Sequence, residues 1–254
     1  MRPTQEDGSV RRAYDAVAPS YDAAMAEQPV SRWMREILWE RLAGLFPRGA
    51  RVLDLTAGTG SDACHLAATG VQVTAIDISE RMIGELRHRA ARQHLVVDSR
   101  VLPVERLGEL DAGAFDGAYS TFAGLNTITD LDRLSADLRA RLRPRAPVLF
   151  HALNRFCLWE QAGYLVLRRP TRAADVRIAD VRVVHRYYDP LSLWGEHFAE
   201  HFVLGRAYAL SVVASPVFVK RHPRLGTALL KVDRPLGKLF PSAGHFFVLE
   251  LEAR

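Results

Sequence analysis

Cysteine, lysine and long apolar runs are all scarce in this 254-residue chain. With only Cys64 and Cys157 it has no disulfide framework, and a reducing compartment, the cytoplasm, is expected. No apolar run approaches the ~20 residues that a membrane-spanning helix requires, and residues 1–8 lack the apolar core of a secretory leader. Of the 34 basic residues only Lys220, Lys231 and Lys238 are lysines, which leaves 31 arginines, a skew that reflects codon usage more than function. The arginines are scattered over helices and loops and form no stripe, so no nucleic-acid partner is expected in spite of a net charge of +5. A basic rim that attracts an anionic substrate is compatible with the same balance.

What is present is the mixture of a soluble globular protein, 48% hydrophobic and 25% charged, long enough for one domain with a lid. Residues 1–45 read as a lid and a packing helix: the pattern over 10–45 is helical, with breaks expected at Pro19 and near Pro29. Short apolar runs typical of buried parallel strands follow at RVLDL (51–55), VQVTAID (71–77), RVLPV (100–104), FDGAYS (115–120) and APVLFHAL (146–153). Residues 61–68, 79–93 and 131–142 are helical in pattern, the last with leucines at 131, 134, 138 and 142 on one face. Strands alternating with helices at this spacing predict a doubly wound parallel sheet over residues 46–153. Residues 154–254 belong to the same domain and supply substrate-facing insertions. VRIADVRVVHRYY (176–188) reads as strand or hairpin, a helix follows Pro190, and two late antiparallel strands lie in 201–215 and 244–253. The connection between them contains Pro216, Pro223, Pro235 and Pro241 and is expected to wander over the surface. No repeat or low-complexity tract is present.

The informative segment is VLDLTAGTGSDACHLA (52–67), a buried strand running through a small-residue loop into a helix. Gly58 and Gly60 let backbone N–H groups approach a ligand, and the helix start at Ser61 adds unpaired donors. In an open α/β sheet such a loop lies beyond the carboxyl ends of the strands, where ligands bind. Asp77 ends the next strand, 17 residues after Gly60, where a carboxylate can accept both hydroxyls of a ribose. Its competing role is the cap of the following helix, which Ser79 can also provide.

The order DLTAGTG, AID, FDGAYS, LRPRAPVLF resembles class I S-adenosylmethionine-dependent methyltransferases of small-molecule type, similar to the ubiquinone/menaquinone-methyltransferase-like group, over about residues 13–153. The resemblance implies a Rossmann-like, doubly wound, mostly parallel seven-stranded sheet with late antiparallel strands and a lid. The cofactor implied is S-adenosyl-L-methionine, and the implied activity is methyl transfer to O, N or C of a small, aromatic or apolar acceptor. Asp54, Thr56, Ala57, Gly58 and Gly60 would surround its methionine part, Asp77 would hold the ribose, and Ile78 would pack on adenine. Val104 and Glu105 would lie near the adenine amino group, with Asp98 the competitor if the third strand is drawn earlier; Ser120, at the end of the fourth strand, would also touch the cofactor. The loop departs from the family where Thr56 stands in place of its first glycine. The N-terminal AYDAVAPSYD (13–22) resembles the same group, and Tyr14 and Tyr21 would fold over the sulfonium, an arrangement that cation–π attraction favours.

Rival readings share some of these residues. A nicotinamide-dependent oxidoreductase also needs a glycine turn and an acid after the second strand, but Asp54 before the loop and the Tyr-Asp lid argue against it. HFAEH (197–201) matches a zinc-peptidase pattern yet follows a complete nucleotide-binding core, and no metal is expected. A nucleic-acid methyltransferase would carry an Asn/Asp-Pro-Pro-aromatic element where this chain has STFAGLN (120–126). A cofactor-binding protein that serves a partner enzyme is the non-catalytic alternative. For the acceptor side the candidates are Thr121, Phe122 and Asn126 after the fourth strand and His151, Asn154, Trp159 and Glu160 around the fifth. His185, Tyr187, Tyr188 and His245 come from later segments, as do the aromatics Phe156, Tyr164, Phe218 and Phe240. His151, as a base, heads the catalytic candidates, with Asn126 and Tyr21 beside it.

Overall fold

The computed structural model describes residues 5–157 and 175–254. It opens with two helices, α1 (Gln5–Ala26) and α2 (Pro29–Leu45). The alternating core follows as β1 (Arg51–Asp54), α3 (Ser61–Ala68), β2 (Gln72–Asp77), α4 (Glu80–Arg92), β3 (Asp98–Val101), β4 (Gly117–Ser120), α5 (Leu131–Arg141) and β5 (Pro147–Leu153). A hairpin β6 (Asp175–Ile178) and β7 (Val181–Val184), a short helix α6 (Pro190–Leu193), β8 (Phe202–Leu210), α7 (Pro216–Arg221), α8 (Pro223–Leu239) and β9 (Phe246–Ala253) complete it.

The main sheet has seven strands in the order β3-β2-β1-β4-β5-β9-β8. β1 to β5 are parallel, and β9 pairs antiparallel with both β5 and β8. The two late strands are therefore antiparallel to one another, and β9 alone runs against the rest. Successive side chains of a strand point to opposite faces, and each face has its own core. Leu53, Phe150, Phe247 and Leu249 pack with Leu134 and Leu138 of α5 on one side. Val52, Leu149 and Val248 pack with Leu38 of α2, Leu66 of α3, Leu86 of α4 and Val219 of α7 on the other.

Three expectations are corrected. The third strand lies at Asp98–Val101, earlier than the apolar run at 100–104, because it is an edge strand with mostly accessible side chains and needs no apolar run. Pro19 does not break α1. The carbonyl that a proline leaves unpaired four residues upstream belongs to Asp15, and it accepts from Arg81 Nη1 at 3.5 Å. The connection between β8 and β9 does not wander: it forms α7 and α8, with Pro216 in the first turn of α7, where its missing N–H costs no hydrogen bond.

Above the carboxyl ends of the strands, α1 packs through Val10, Ala13 and Tyr14 onto Val181 and Val183 of the hairpin and onto Ile78. The hairpin turn at Ala179 and Asp180 takes positive φ at both residues. Val10, Tyr14 and Ile78 of this layer line a cleft above the sheet.

Candidate functional site

Between β1 and α3 the chain turns across the top of the sheet. Gly58 and Gly60 take φ of 53° and 75°, which side chains resist. At Gly60 a Cβ would also overlap Leu86 of α4. The turn is closed by the Gly60 N–H to the Ala57 carbonyl at 2.9 Å and tied to β2 by the Ala57 N–H to the Ile76 carbonyl at 3.0 Å. Asp77 stands at its edge, accepting the Gly58 N–H at 2.8 Å and the Ser79 N–H at 2.9 Å. Burial pushes its carboxyl up to about 6, against the lowering by those two donors. The cap of α4 is Ser79, whose Oγ accepts the Met82 N–H at 3.1 Å, so Asp77 is not spent on capping.

Thr56 is accommodated from across the cleft. Its Oγ1 lies 2.7 Å from Ser120 Oγ, and its side chain fills the space that a Cβ on Gly124 would need. The glycine missing from the loop is matched by one in the turn after β4. Asp54 lies beneath the loop, buried, with Oδ1 accepting the Thr56 N–H at 3.3 Å. Burial pushes its carboxyl well above the usual carboxylate range, and the nearby charge of Asp62 adds to this.

A cleft of about 870 Å³, its open mouth included, lies over this loop. Tyr14 and Tyr21 are seven residues apart on α1, two helical turns, so they share a face, and both line the cleft. Burial pushes the Tyr21 phenol up to about 12 and raises that of Tyr14 as well, so both stay neutral. The aspartates beside them fasten the helix. Asp15 accepts from Ser79 Oγ at 2.6 Å and from the Arg81 N–H at 3.2 Å. Asp22 accepts from Thr59 Oγ1 at 2.7 Å and is paired with Arg89.

One end of the cleft is polar. Asp62 accepts from Trp39 Nε1 at 2.7 Å and from Thr121 Oγ1 at 2.6 Å, and Arg35 Nη1 stands 3.7 Å from it. The Arg35 guanidinium also lies 4.4 Å over the ring of Phe122. Among the described residues lining the cleft, Arg35 is the single cation. The other end is an apolar slot of Ile78, Met82, Val104 and Ile128 with Glu105 at its side. Burial raises the Glu105 carboxyl, helped by Asp7.

Of the residues that the sequence singled out, Tyr14, Tyr21, Thr56, Ala57, Gly58, Asp77, Ile78, Val104, Glu105, Thr121 and Phe122 line this cleft. Asp54, Gly60 and Ser120 support it from below without lining it. Asp98 faces away, paired with Arg100 at 2.8 Å. His151 is fully buried: Nδ1 accepts the Phe122 N–H at 3.1 Å and the ring stacks on Phe246 at 4.9 Å. Burial lowers its pKa to about 3. Asn126 is spent on the backbone, its Oδ1 accepting from the Leu153 N–H at 2.9 Å and its Nδ2 donating to the carbonyls of Leu153 and Arg186. Neither lines the cleft, nor do Asn154, His185, Tyr187, Tyr188 and His245. Trp159, Glu160 and Tyr164 lie outside the described residues. His197 of the HFAEH segment is 2.7 Å from Asp132, and no metal-binding cluster occurs among the described residues. Arg35 and Asp62 escaped the sequence reading. One arginine among 31 carries no pattern, and an acid in the first turn of a helix reads as a solvated end.

Residues 52–145 match the model of the methyltransferase domain family. A ubiquinone biosynthesis O-methyltransferase of Xanthomonas axonopodis pv. citri is 34% identical over 113 residues, 44% of this chain and 47% of that protein. The chain thus spans about half the length of the curated relatives it matches. Among solved structures, the [4+2]-cyclase SpnF superposes with a TM-score of 0.66 at 18% identity, over 98% of this chain and 97% of that one. The 1,6-didemethyltoxoflavin-N1-methyltransferase of Burkholderia thailandensis, solved with bound 1,6-didemethyltoxoflavin and S-adenosylhomocysteine, gives 0.61 at 20% identity, over 100% and 91%. The fold is the one shared by these solved structures, and the match to the methyltransferase domain model is confined to residues 52–145.

Proposed function

We propose that this protein is an S-adenosyl-L-methionine-dependent methyltransferase acting on O, N or C of a small, aromatic or apolar molecule. The donor set of the cleft fits that cofactor. A nucleoside joined to a zwitterionic amino acid through a sulfonium needs an apolar slot, a diol acceptor, paired opposite charges and aromatic faces, and each is present. The observation that carries the reading is their convergence in one cleft: Glu105 beside the apolar slot, Asp77 at the strand tip, and Arg35 with Asp62 at the far end.

In this reading Asp77 accepts the ribose hydroxyls, and Ile78 and Val104 flank the adenine with Glu105 toward its amino group. Arg35 takes the carboxylate of the amino-acid part, while Asp62 and the loop beginning at Thr56 face its ammonium. Tyr14 and Tyr21, neutral at physiological pH, exclude water and present ring faces to the cation. The bound cofactor supplies an activated methyl group for in-line displacement. Thr121 and Phe122 then bound the acceptor side, and His151 serves by holding the turn that carries Phe122. Its pKa of about 3 and its full burial make it a poor proton acceptor. Cys64 and Cys157 are buried and not joined in a disulfide, which supports a reducing compartment, and we assign the protein to the cytoplasm.

A second reading keeps the cofactor without methyl transfer, since the same fold serves a [4+2]-cyclase. Both are tested together. S-adenosylhomocysteine should raise the melting temperature while NAD and NADP do not, and incubation of S-adenosylmethionine with apolar ring acceptors should form S-adenosylhomocysteine. Stabilisation by NAD alone would overturn the cofactor assignment; binding without turnover on any acceptor would favour the second reading.

A further inference from the structure

Helix α8 presents two unlike faces to its surroundings. Gly226, Leu230, Asp233 and Gly237, spaced by three and four residues, face inward. Leu230 joins the core, and the buried Asp233 carboxylate accepts the N–H groups of Val212, Val213 and Ala214 at 3.1, 2.9 and 3.0 Å. At Gly237 a Cβ would overlap the Ala209 carbonyl, so the helix lies tight against β8.

The outward side repeats the same spacing with apolar residues. Leu225, Ala228, Val232, Pro235 and Leu239 form one stripe and all are exposed. Leu225 is 56% exposed, Val232 49% and Leu239 71%, and Val217 of α7 at 78% and Phe240 at 55% extend the patch. A solvated helix face normally carries charge at such positions. Beside this stripe runs a second one, of Arg224, Lys231, Arg234 and Lys238, with Lys220 and Arg221 on α7. All three lysines of the chain are therefore here, and the only acid in residues 216–240 is the buried Asp233. Arg234 is paired with Glu40 of α2 at 2.9 Å, so the cationic row that α7 and α8 present beside the apolar stripe consists of Lys220, Arg221, Arg224, Lys231 and Lys238.

That combination selects among occupants. A second copy of the chain seated on the stripe would bring two basic rows together, whereas an anionic bilayer complements both features. It offers an acyl boundary for a narrow apolar stripe and phosphates for the row beside it. No described helix is long and apolar enough to cross a membrane, so the helix would lie on the surface. We propose that α8, with α7, docks this protein on an anionic lipid surface. Leu225, Val232 and Leu239 enter the headgroup layer, and Arg224, Lys231 and Lys238 meet the phosphates. α8 ends at Leu239, and β9 begins at Phe246 opposite Leu153, the last residue of β5. The docked helix thus leads to the edge of the sheet on which the cleft opens.

Vesicle flotation of the full chain tests this. Binding to phosphatidylcholine vesicles containing phosphatidylglycerol is expected at low salt, with little binding to phosphatidylcholine alone and loss of binding as salt rises. Lys231→Gln with Lys238→Gln should weaken it about thirty-fold, the worth of two lysines near an anionic surface. Leu225→Ser, Val232→Ser and Leu239→Ser together should abolish it, with melting temperature and S-adenosylhomocysteine affinity unchanged. No binding by the parent chain, or equal binding by these variants, would overturn the proposal. So would a concentration-dependent dimer that the triple serine variant dissociates in the absence of vesicle binding.

Discussion

The imidazole Nδ1 of His151 accepts the backbone N–H of Phe122 at 3.1 Å. Phe122 and the following Ala123 have φ of 50° and 66°, left-handed conformations that cost non-glycine residues of order 1–3 kcal/mol each. The Ala123 N–H is held by the carbonyl of the same histidine, also at 3.1 Å. His151 therefore braces a strained turn that lines the cleft, and it can do so only while Nδ1 is unprotonated.

Acid should release that brace. The folded pKa of about 3 lies below the ordinary histidine value of 6.5, so the stabilisation is complete above 6.5 and is lost as pH falls toward 3. Asp77 has the opposite sign, since its raised value costs stability as pH rises from about 4 to 6. The test is therefore the difference between parent and His151→Asn in urea midpoint against pH. The gap should narrow steadily below pH 6.5, and a constant gap would refute the bracing role.

Cofactor affinity should depend on the ionisation of Asp77. Ribose hydroxyls donate to the charged carboxylate, so affinity for S-adenosylhomocysteine should be flat above pH 7 and weaken as pH falls through about 6. Asp77→Asn should lose about a hundredfold in affinity, the worth of two hydrogen bonds to a charged group, together with the pH dependence. Calorimetry that finds either effect missing removes Asp77 from the ribose site.

The acidic halves of the two Tyr-Asp pairs are predicted to control cofactor residence more than stability. The Asp22 and Arg89 side chains are partly exposed, 45% and 26%, and such surface pairs contribute only about 0–1 kcal/mol. Asp15→Ala with Asp22→Ala should leave the melting temperature within a few degrees while speeding dissociation of S-adenosylhomocysteine about tenfold, as a loosened lid requires. Stopped-flow rates equal to those of the parent would show that α1 is held by its apolar contacts alone.

Thr56 and Gly124 are predicted to be energetically coupled, because one fills the space that the other leaves. Gly124→Ala should destabilise by about 1–3 kcal/mol through overpacking. Thr56→Gly with Gly124→Ala should recover most of that loss in a double-mutant cycle. Additive losses would mean that the turn after β4 does not depend on the loop side chain.

Much of the core was legible because its signal is apolar periodicity between breakers. β1, β2, α3, α4, α5 and β5 fall within a residue or two of where the pattern puts them. The misplaced features obey forces that periodicity does not record. β3 is an edge strand and carries Asp98 and Ser99; Pro19 stays helical because Arg81, more than sixty residues on, reaches the freed carbonyl. The cleft itself divided in the same way. Glycines and Asp77 sit in a motif, whereas Arg35 and Asp62 meet only when α2 packs on α3. His151 was visible as a titratable group near the site, but its full burial and the demand of the Phe122 N–H depend on tertiary structure.

The placement of β9 has a consequence for synthesis on the ribosome. It is inserted between β5 and β8 yet follows every other strand in sequence, so until residues 246–253 emerge both neighbours keep open edges. Open edges of apolar strands are where chains join the wrong partner. Two of the seven strands must therefore wait for their keystone, and shielding by chaperones or slowed synthesis near that point should raise soluble yield more than any change within the loop after β1.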